Sequence, residues 1–420
     1  MSFVDKRWIE MVLQEGLKLS EPPKVCSYEV DRALSRGENF GSLALRTPVV
    51  YVINNEEVRT DLFIKVKPHG EAHRELTESL NVFVREAQVY NELLPDMIAN
   101  SNAVGAPEDC YPDFPPCYYA RGSGKEAAIV MVDLSRYEYR LANKYEGVAE
   151  SEARLVLRAL AKFHANGVEI LRKQKDREGF SCLKSNPYDN DLLREGFRES
   201  RNLHRMVNAF QELSDQEENA ARLKAYVDEK CVDGFSRFLE LSRFQGNPDL
   251  ACYKLNDCWL NNMMFRDDLN DDGGYEVAAV KLLDLQFTQV GSPYPDLQFF
   301  FGTSVNKAVF SKREQLLEEE YYPELFRVLK HLRSSVSAEN YPFEEFLADF
   351  KKNSEFCLIT AIFLLPVLLS ERESCFEADD LSVESLEHMA HRTLMTVGTT
   401  ARVLERFAHI VQSMVNENVI

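Results

Sequence analysis

The stretch 252–265 reads CYKLNDCWLNNMMF, and it sets Asp257, Asn261 and Asn262 among residues that are otherwise apolar. Burying polar groups costs free energy unless they are hydrogen-bonded, so the segment is either a well-bonded turn or a site. The next apolar run, EVAAVKLLDLQF (276–287), has the length of a buried strand and carries Asp284 near its end. Between them, RDDLNDDGGYE (266–276) is rich in turn formers, which predicts a hairpin of Met263–Phe265 with Val277–Leu283. Asp268, Asn270, Asp272 and Gly273 match the opening of a calcium loop, but Ala279 stands where the closing Glu belongs, so a solvated turn is expected.

An acid in a loop, an amide five residues on and a second acid at the end of the following strand can bind magnesium and orient a hydroxyl for phosphoryl transfer. Asp257, Asn262 and Asp284 meet that pattern. Asx turns at Asp257 and Asn262 and a capping role for Asp284 are the alternative at this point. Phosphoryl transfer also needs a fixed cation for nucleotide phosphates, and Lys65, in DLFIKV (61–66), with Glu86, in NVFVREAQVYNELLPD (81–96), supplies a candidate pair.

Outward from these residues, LALRTPVVYVIN (43–54) and DLFIKVKP (61–68) read as strands separated by a turn, and 81–96 as an amphipathic helix ended by Pro95. PPCYYARGSGKEAAIVMVDL (115–134) supplies two more strands around a glycine-rich turn. A boundary is expected near 133–136, and helices dominate from Glu150. ESEARLVLRALAKFHA (150–165) lies before Asn166-Gly167, YYPELFRVLKHL begins at Tyr321, and a long helical pattern covers 386–415. His164, near the expected helix end, is assigned packing or support rather than catalysis. His388 and His391 lack a convincing third ligand, and the surface reading is preferred.

The composition narrows the function classes. With 68 acidic against 49 basic residues, a net charge of −19 argues against a general polyanion-binding surface, and no nucleic-acid partner is expected. The first sixteen residues lack the apolar core of a secretory signal and read as a short helix ending at Gly16. The apolar run 357–369, interrupted by Pro366, is too short to span a membrane and is expected to be a buried helix. The nine cysteines lack paired close spacing and are expected to be reduced. A cytoplasmic monomer is the default, with a homodimer as the alternative and no membrane partner.

The motifs GENFGSLALR, LFIKV, FVREAQVYNELLP, IVMVDL, LAKFHA, NDCWLNNMMF and VKLLDLQFTQVGSPYPDLQFF, with the later Tyr321, together resemble the ecdysteroid-kinase-like (CHK-kinase-like) family, similar to choline kinases and aminoglycoside phosphotransferases. The resemblance runs from about residue 30 to about residue 330. It implies an α+β, two-lobed protein-kinase-like fold, with a small N-terminal antiparallel sheet, one main helix and a large, mostly helical C-terminal lobe. The lobes would be 1–134, binding nucleotide, and 135–420, carrying catalysis and the acceptor.

By the same resemblance the cofactors are ATP and Mg2+, and the acceptor is a small hydroxylated molecule, an ecdysteroid or related apolar alcohol. Lys65 is the phosphate-binding lysine and Glu86 its partner; Asp257 is the catalytic base; Asn262 and Asp284 hold the metal. Gly37, Asn39, Gly41 and Ser42 lie in the phosphate-covering loop. Met131, Asp133 and Leu134 lie at the connection between lobes, where backbone groups would meet adenine. Asp296 is expected to brace the catalytic loop, and Trp259 to fill the space behind it. One departure stands out. Relatives usually have His-Gly before the catalytic Asp, whereas this chain has Leu255-Asn256, and Leu cannot replace the hydrogen bond of a His. The alternative function is therefore a pseudokinase, or a nucleotide- or steroid-binding protein with impaired catalysis. Asn256 itself tolerates the left-handed backbone that a Gly would adopt.

Overall fold

The two longest strands form the hairpin that the alternation of apolar residues predicts. The computed structural model describes residues 3–33, 42–68, 70–173, 180–200, 202–270, 272–369 and 401–420. Strands β1 (Lys24–Tyr28), β2 (Asp31–Arg32), β3 (Leu43–Ile53), β4 (Glu56–Val66), β5 (Cys117–Arg121) and β6 (Ala128–Val132) make one antiparallel sheet in the order β1-β3-β4-β6-β5, with β2 paired to β3. The β3–β4 turn places Asn54 and Asn55 at φ 51° and 66°, a left-handed pair that Asn tolerates better than most residues. The Lys6–Gly16 helix packs Trp8, Ile9, Val12 and Leu13 into a core shared with Leu45, Leu62, Ile64 and Val130.

On the sheet's other side runs the helix carrying Glu86, and here the structure corrects the sequence reading. Helix Val82–Gln88 does not end at Pro95. It widens into a π turn at Val89–Leu93 and continues as Leu94–Val104, ending at Gly105 with φ 73°. The π turn interrupts the regular i to i−4 ladder just where Pro95, at the start of the next segment, has no N–H to contribute.

The second correction concerns Asn166-Gly167. Helix Glu150–Lys173 passes straight through them. Asn166 is held by Nδ2 bonds to Cys110 O (2.9 Å) and Lys162 O (2.8 Å), and it accepts from Ser101 Oγ at 3.1 Å. Gly167 lets the helix approach the strand β8 (Cys252–Lys254), because a Cβ there would stand 2.8 Å from Tyr253 N.

Beyond β7 (Tyr139–Leu141), the chain is mainly helical, and two small sheets carry the opening stretch. Strands β9 (Met263–Leu269) and β10 (Tyr275–Leu282) form the expected hairpin, longer than predicted, with β7 on the outer edge of β9. Its turn is closed by Asn270, whose Oδ1 accepts from Gly274 N at 2.7 Å, while Asp268 pairs with Arg266. Strand β8 pairs with β11 (Gln289–Gly291), a ladder not anticipated from the sequence. The run 357–369 lies within and just past the helix Ser354–Leu368, whose Phe356, Cys357, Leu358, Ile359 and Ile362 are buried. Helix Ala401–Asn416 covers the described end of the predicted C-terminal helical pattern; His388 and His391 lie outside the described residues. The described cysteines are free thiols, and among the described residues no helix is long and apolar enough to cross a membrane. The α+β class with antiparallel sheets is as expected.

Candidate active site

Lys65 sits near the end of β4 and is buried. Its ammonium stands 2.9 and 2.7 Å from the two carboxylate oxygens of Glu86, brought in by helix Val82–Gln88, and 2.8 Å from Asp284 Oδ1, at the exit of β10. Burial alone would lower the Lys65 pKa, but the charges of Asp284 and Glu86 outweigh it and hold the ammonium above its ordinary range. Burial pushes the Glu86 carboxyl up, against the opposing charge of Lys65. Asp284 has φ 60°, a left-handed conformation that is costly for a residue with a side chain and that turns the chain sharply at the strand end.

Asp257 and Asn262 occupy the loop between β8 and β9, and their side chains meet. Asn262 Nδ2 donates to Asp257 Oδ2 at 2.8 Å and to Asp257 O at 3.0 Å. The loop is tied to the β10 exit by Leu283 N donating to Asn262 O at 2.8 Å. Burial and then the nearby Asp284 carboxylate push the Asp257 carboxyl up to about 8. With its amide nitrogen committed to Asp257, Asn262 keeps its amide oxygen for another partner. Asp284 Oδ2 accepts from Gln286 Nε2 at 3.2 Å. A carboxylate and an amide oxygen are the hard oxygen donors that magnesium takes, so the residues present fit that ion.

Behind the loop lies a buried relay. Asp296, in helix Tyr294–Thr303, accepts from Leu255 N at 2.6 Å and Asn256 N at 2.8 Å, and its Oδ2 is 3.1 Å from His164 Nε2. His164 Nδ1 is in turn 2.8 Å from Tyr321 OH. Burial would raise the Asp296 pKa, but His164, then the Lys254 charge and the Leu255 amide, overcome it and hold the carboxyl below its usual range. Asp296 therefore fixes the loop through its backbone, and His164 supports Asp296, while Leu255 is buried with its side chain in the apolar core. Trp259 is buried beside the loop, its backbone N–H donating to Asp257 O at 3.0 Å.

The other expected positions are less central. Met131 lies within the β6 ladder, between Phe63 and Cys117. The Asp133 carboxylate is committed to the protein, pairing with Arg46 at 3.0 Å and capping the turn at Leu134 through Ser135 N and Oγ. Leu134 and Ser42 are buried, and Gly37, Asn39 and Gly41 lie outside the described residues. Sequence reasoning missed Tyr188, whose hydroxyl donates to Asn256 O and whose ring stacks on Phe287 at 5.2 Å. It also missed Arg85, buried beside Glu86 and bonded to Ser185 Oγ at 2.6 Å. Neither position carries a periodic or spacing signal.

The profile of the ecdysteroid kinase-like family matches residues 36–334, more than two thirds of the chain. The chain belongs to the ecdysteroid kinase-like family. The family match spans every residue of the site just described. No curated protein matches the chain. Among solved structures, choline kinase from Cryptosporidium parvum Iowa II is similar over 94% of this chain and 91% of that chain, at 11% identity and a TM-score of 0.46. An ethanolamine kinase from Plasmodium vivax covers 88% of this chain and 81% of its own, at 11% identity and 0.37. The ADP-bound aminoglycoside phosphotransferase APH(2'')-Ib covers 91% and 95%, at 14% identity and 0.33. At these scores the likenesses place no residue of this ecdysteroid kinase-like chain.

Proposed function

We propose that the protein is an ATP- and magnesium-dependent small-molecule kinase that transfers the γ-phosphoryl group to the hydroxyl of an ecdysteroid or related apolar alcohol. The observation that carries this reading is the convergence of Lys65, Glu86 and Asp284 in one ion-paired cluster, coupled through Leu283 N to the Asp257–Asn262 loop. Family membership supports a kinase, and the family's description supports the substrate class. The nucleotide lobe would be 1–134 and the acceptor lobe 135–420, in a cytoplasmic monomer.

Lys65, held by Glu86, would carry the nucleotide phosphates, exchanging its contact with Asp284 for a phosphate oxygen. Asn262 and Asp284 would hold magnesium, which when bound neutralises charge on the transferred group. Asp257 would orient the acceptor hydroxyl and take its proton as the oxygen forms its bond to phosphorus. Met131, Asp133 and Leu134 would offer backbone groups to adenine, and Gly37, Asn39, Gly41 and Ser42 would cover the phosphates.

Leu255 in place of the family histidine favours a second reading, a pseudokinase that binds nucleotide without turnover. A single-turnover assay with magnesium, ATP and a panel of steroid alcohols and small amino alcohols separates the two. Phosphorylated acceptor supports the kinase; nucleotide binding without transfer supports the pseudokinase.

A further inference from the structure

The loop carrying Asp257 must be held in register with the segment that follows Asp284, or the two acids cannot act on one phosphoryl group. Leu255 contributes no side-chain hydrogen bond to that register, and Asp296 fixes the loop from behind. A different side chain crosses from one segment to the other. Asn256 Nδ2 donates to Phe287 O at 2.9 Å, three residues after Asp284, and Asn256 Oδ1 accepts from Gln289 Nε2 at 3.4 Å. We infer that Asn256 is a positioning residue that locks the Asp257 loop to the Asp284 segment through its side-chain amide.

The local backbone explains why an amide serves there. Strands β8 and β11 pair up to Lys254 opposite Gln289. Two residues later Asn256 turns left-handed, with φ 63°, and the ladder ends. Asn256 continues the ladder with its side chain: a donor and an acceptor, in the geometry of a peptide group, reach the backbone of Phe287 and the side chain of Gln289. The residue is 3% exposed. Its N–H is held by Asp296 and its carbonyl by the Tyr188 hydroxyl, so the residue before Asp257 is fixed at both backbone groups and through its side chain. Gly would accept the same φ but carry no amide; Asn supplies both. In a site where a displacement of about 1 Å costs about a hundredfold in rate, this lock bears on catalysis without touching the reactants.

The inference rests on the kinase reading for its catalytic consequence but not for the lock itself, and two readouts keep them apart. The first is amide hydrogen exchange of the full chain, followed in 255–262 and 285–289. In Asn256→Gly, which keeps the backbone free to turn, exchange in both segments should rise together by about tenfold. The second is phosphoryl transfer, in which kcat should fall by about tenfold or more while magnesium-ATP affinity stays within about threefold. If Asn256→Gly does not fold, Asn256→Asp, which removes the donor and keeps the size, takes its place with the same expectations. Unchanged exchange in both segments, or raised exchange with kcat within twofold of the parent, overturns the inference. A parent protein that transfers phosphate to no alcohol defeats the kinase reading, and exchange alone then decides the lock.

Discussion

Lys65 Nζ lies 2.8 Å from Asp284 Oδ1, joining residues 219 positions apart and fixing the sheet that carries the lysine against the hairpin that carries the acid. Both partners are largely shielded from water, with side-chain exposures of 6% and 15%. Removing the cation leaves two carboxylates, Glu86 and Asp284, without their shared partner. Lys65→Met should therefore lower stability by about 3–5 kcal/mol, the usual cost of breaking a buried pair from one side. Urea unfolding of the parent and the variant measures it, and a loss below about 1 kcal/mol would mean that water already screens the cluster.

Asp296 offers a different kind of test, because both of its oxygens accept from loop amides. Asp296→Asn keeps the shape but turns an N–H toward a backbone N–H. Stability should fall by about 1–3 kcal/mol, the cost of leaving a buried donor unsatisfied. His164→Phe leaves the loop amides on Asp296 in place but removes the bonds of His164 to both Asp296 and the buried Tyr321 hydroxyl, and should also cost about 1–3 kcal/mol in the same thermal unfolding series.

At Gly167 propensity and packing predict opposite signs. Alanine favours a helix interior over glycine by about 1 kcal/mol. A Cβ at this position, however, would meet Tyr253 N at 2.8 Å and Tyr253 O at 3.3 Å, backbone atoms that cannot rotate away. Gly167→Ala should destabilise by about 1–3 kcal/mol; a stabilised variant would show that the helix and β8 can separate at little cost.

His409 should give the fold a pH dependence. Burial, against a bond to the Glu405 backbone and with help from the charges of Arg406, Lys307 and Arg313, pushes its pKa from 6.5 down to about 4. The ring packs on Phe310 at 5.2 Å, and its Nε2 has no hydrogen-bond partner among the described residues. Well above pH 6.5 the residue is neutral in both states and its contribution is whole. As pH falls from 6.5 toward 4, the unfolded chain gains a proton that the folded chain does not, so stability is lost, by roughly 3 kcal/mol over the interval. His409→Gln should remove that part of the slope, and the difference between parent and variant should be flat above pH 7.

Much of this was legible because periodicity is local. The β3–β4 hairpin, the Lys65 strand, the Glu86 helix and the exit of β10 at Asp284 all follow from alternating or helical spacing of apolar residues. The continuation past Pro95 was hidden because a π turn, which leaves no compositional mark, absorbs the missing N–H. The continuation past Gly167 was hidden because a glycine kept for close packing looks the same as one that ends a helix. Asn256 was legible as a residue able to turn left-handed, but not as a bridge, since Phe287 and Gln289 reach it only after β8 and β11 pair. Tyr188 comes from a segment with no spacing that points toward the loop.

In the proposed mechanism Asp257 serves the acceptor and Asp284 the metal-bound phosphate, within one site. The most direct measurement pairs single-turnover phosphoryl transfer with magnesium-dependent ATP affinity for Asp257→Asn and Asp284→Asn. Asp257→Asn should slow transfer by about a hundredfold or more with ATP affinity within about threefold of the parent, whereas Asp284→Asn should lose both magnesium-dependent affinity and transfer. Turnover unchanged in both variants would contradict the account.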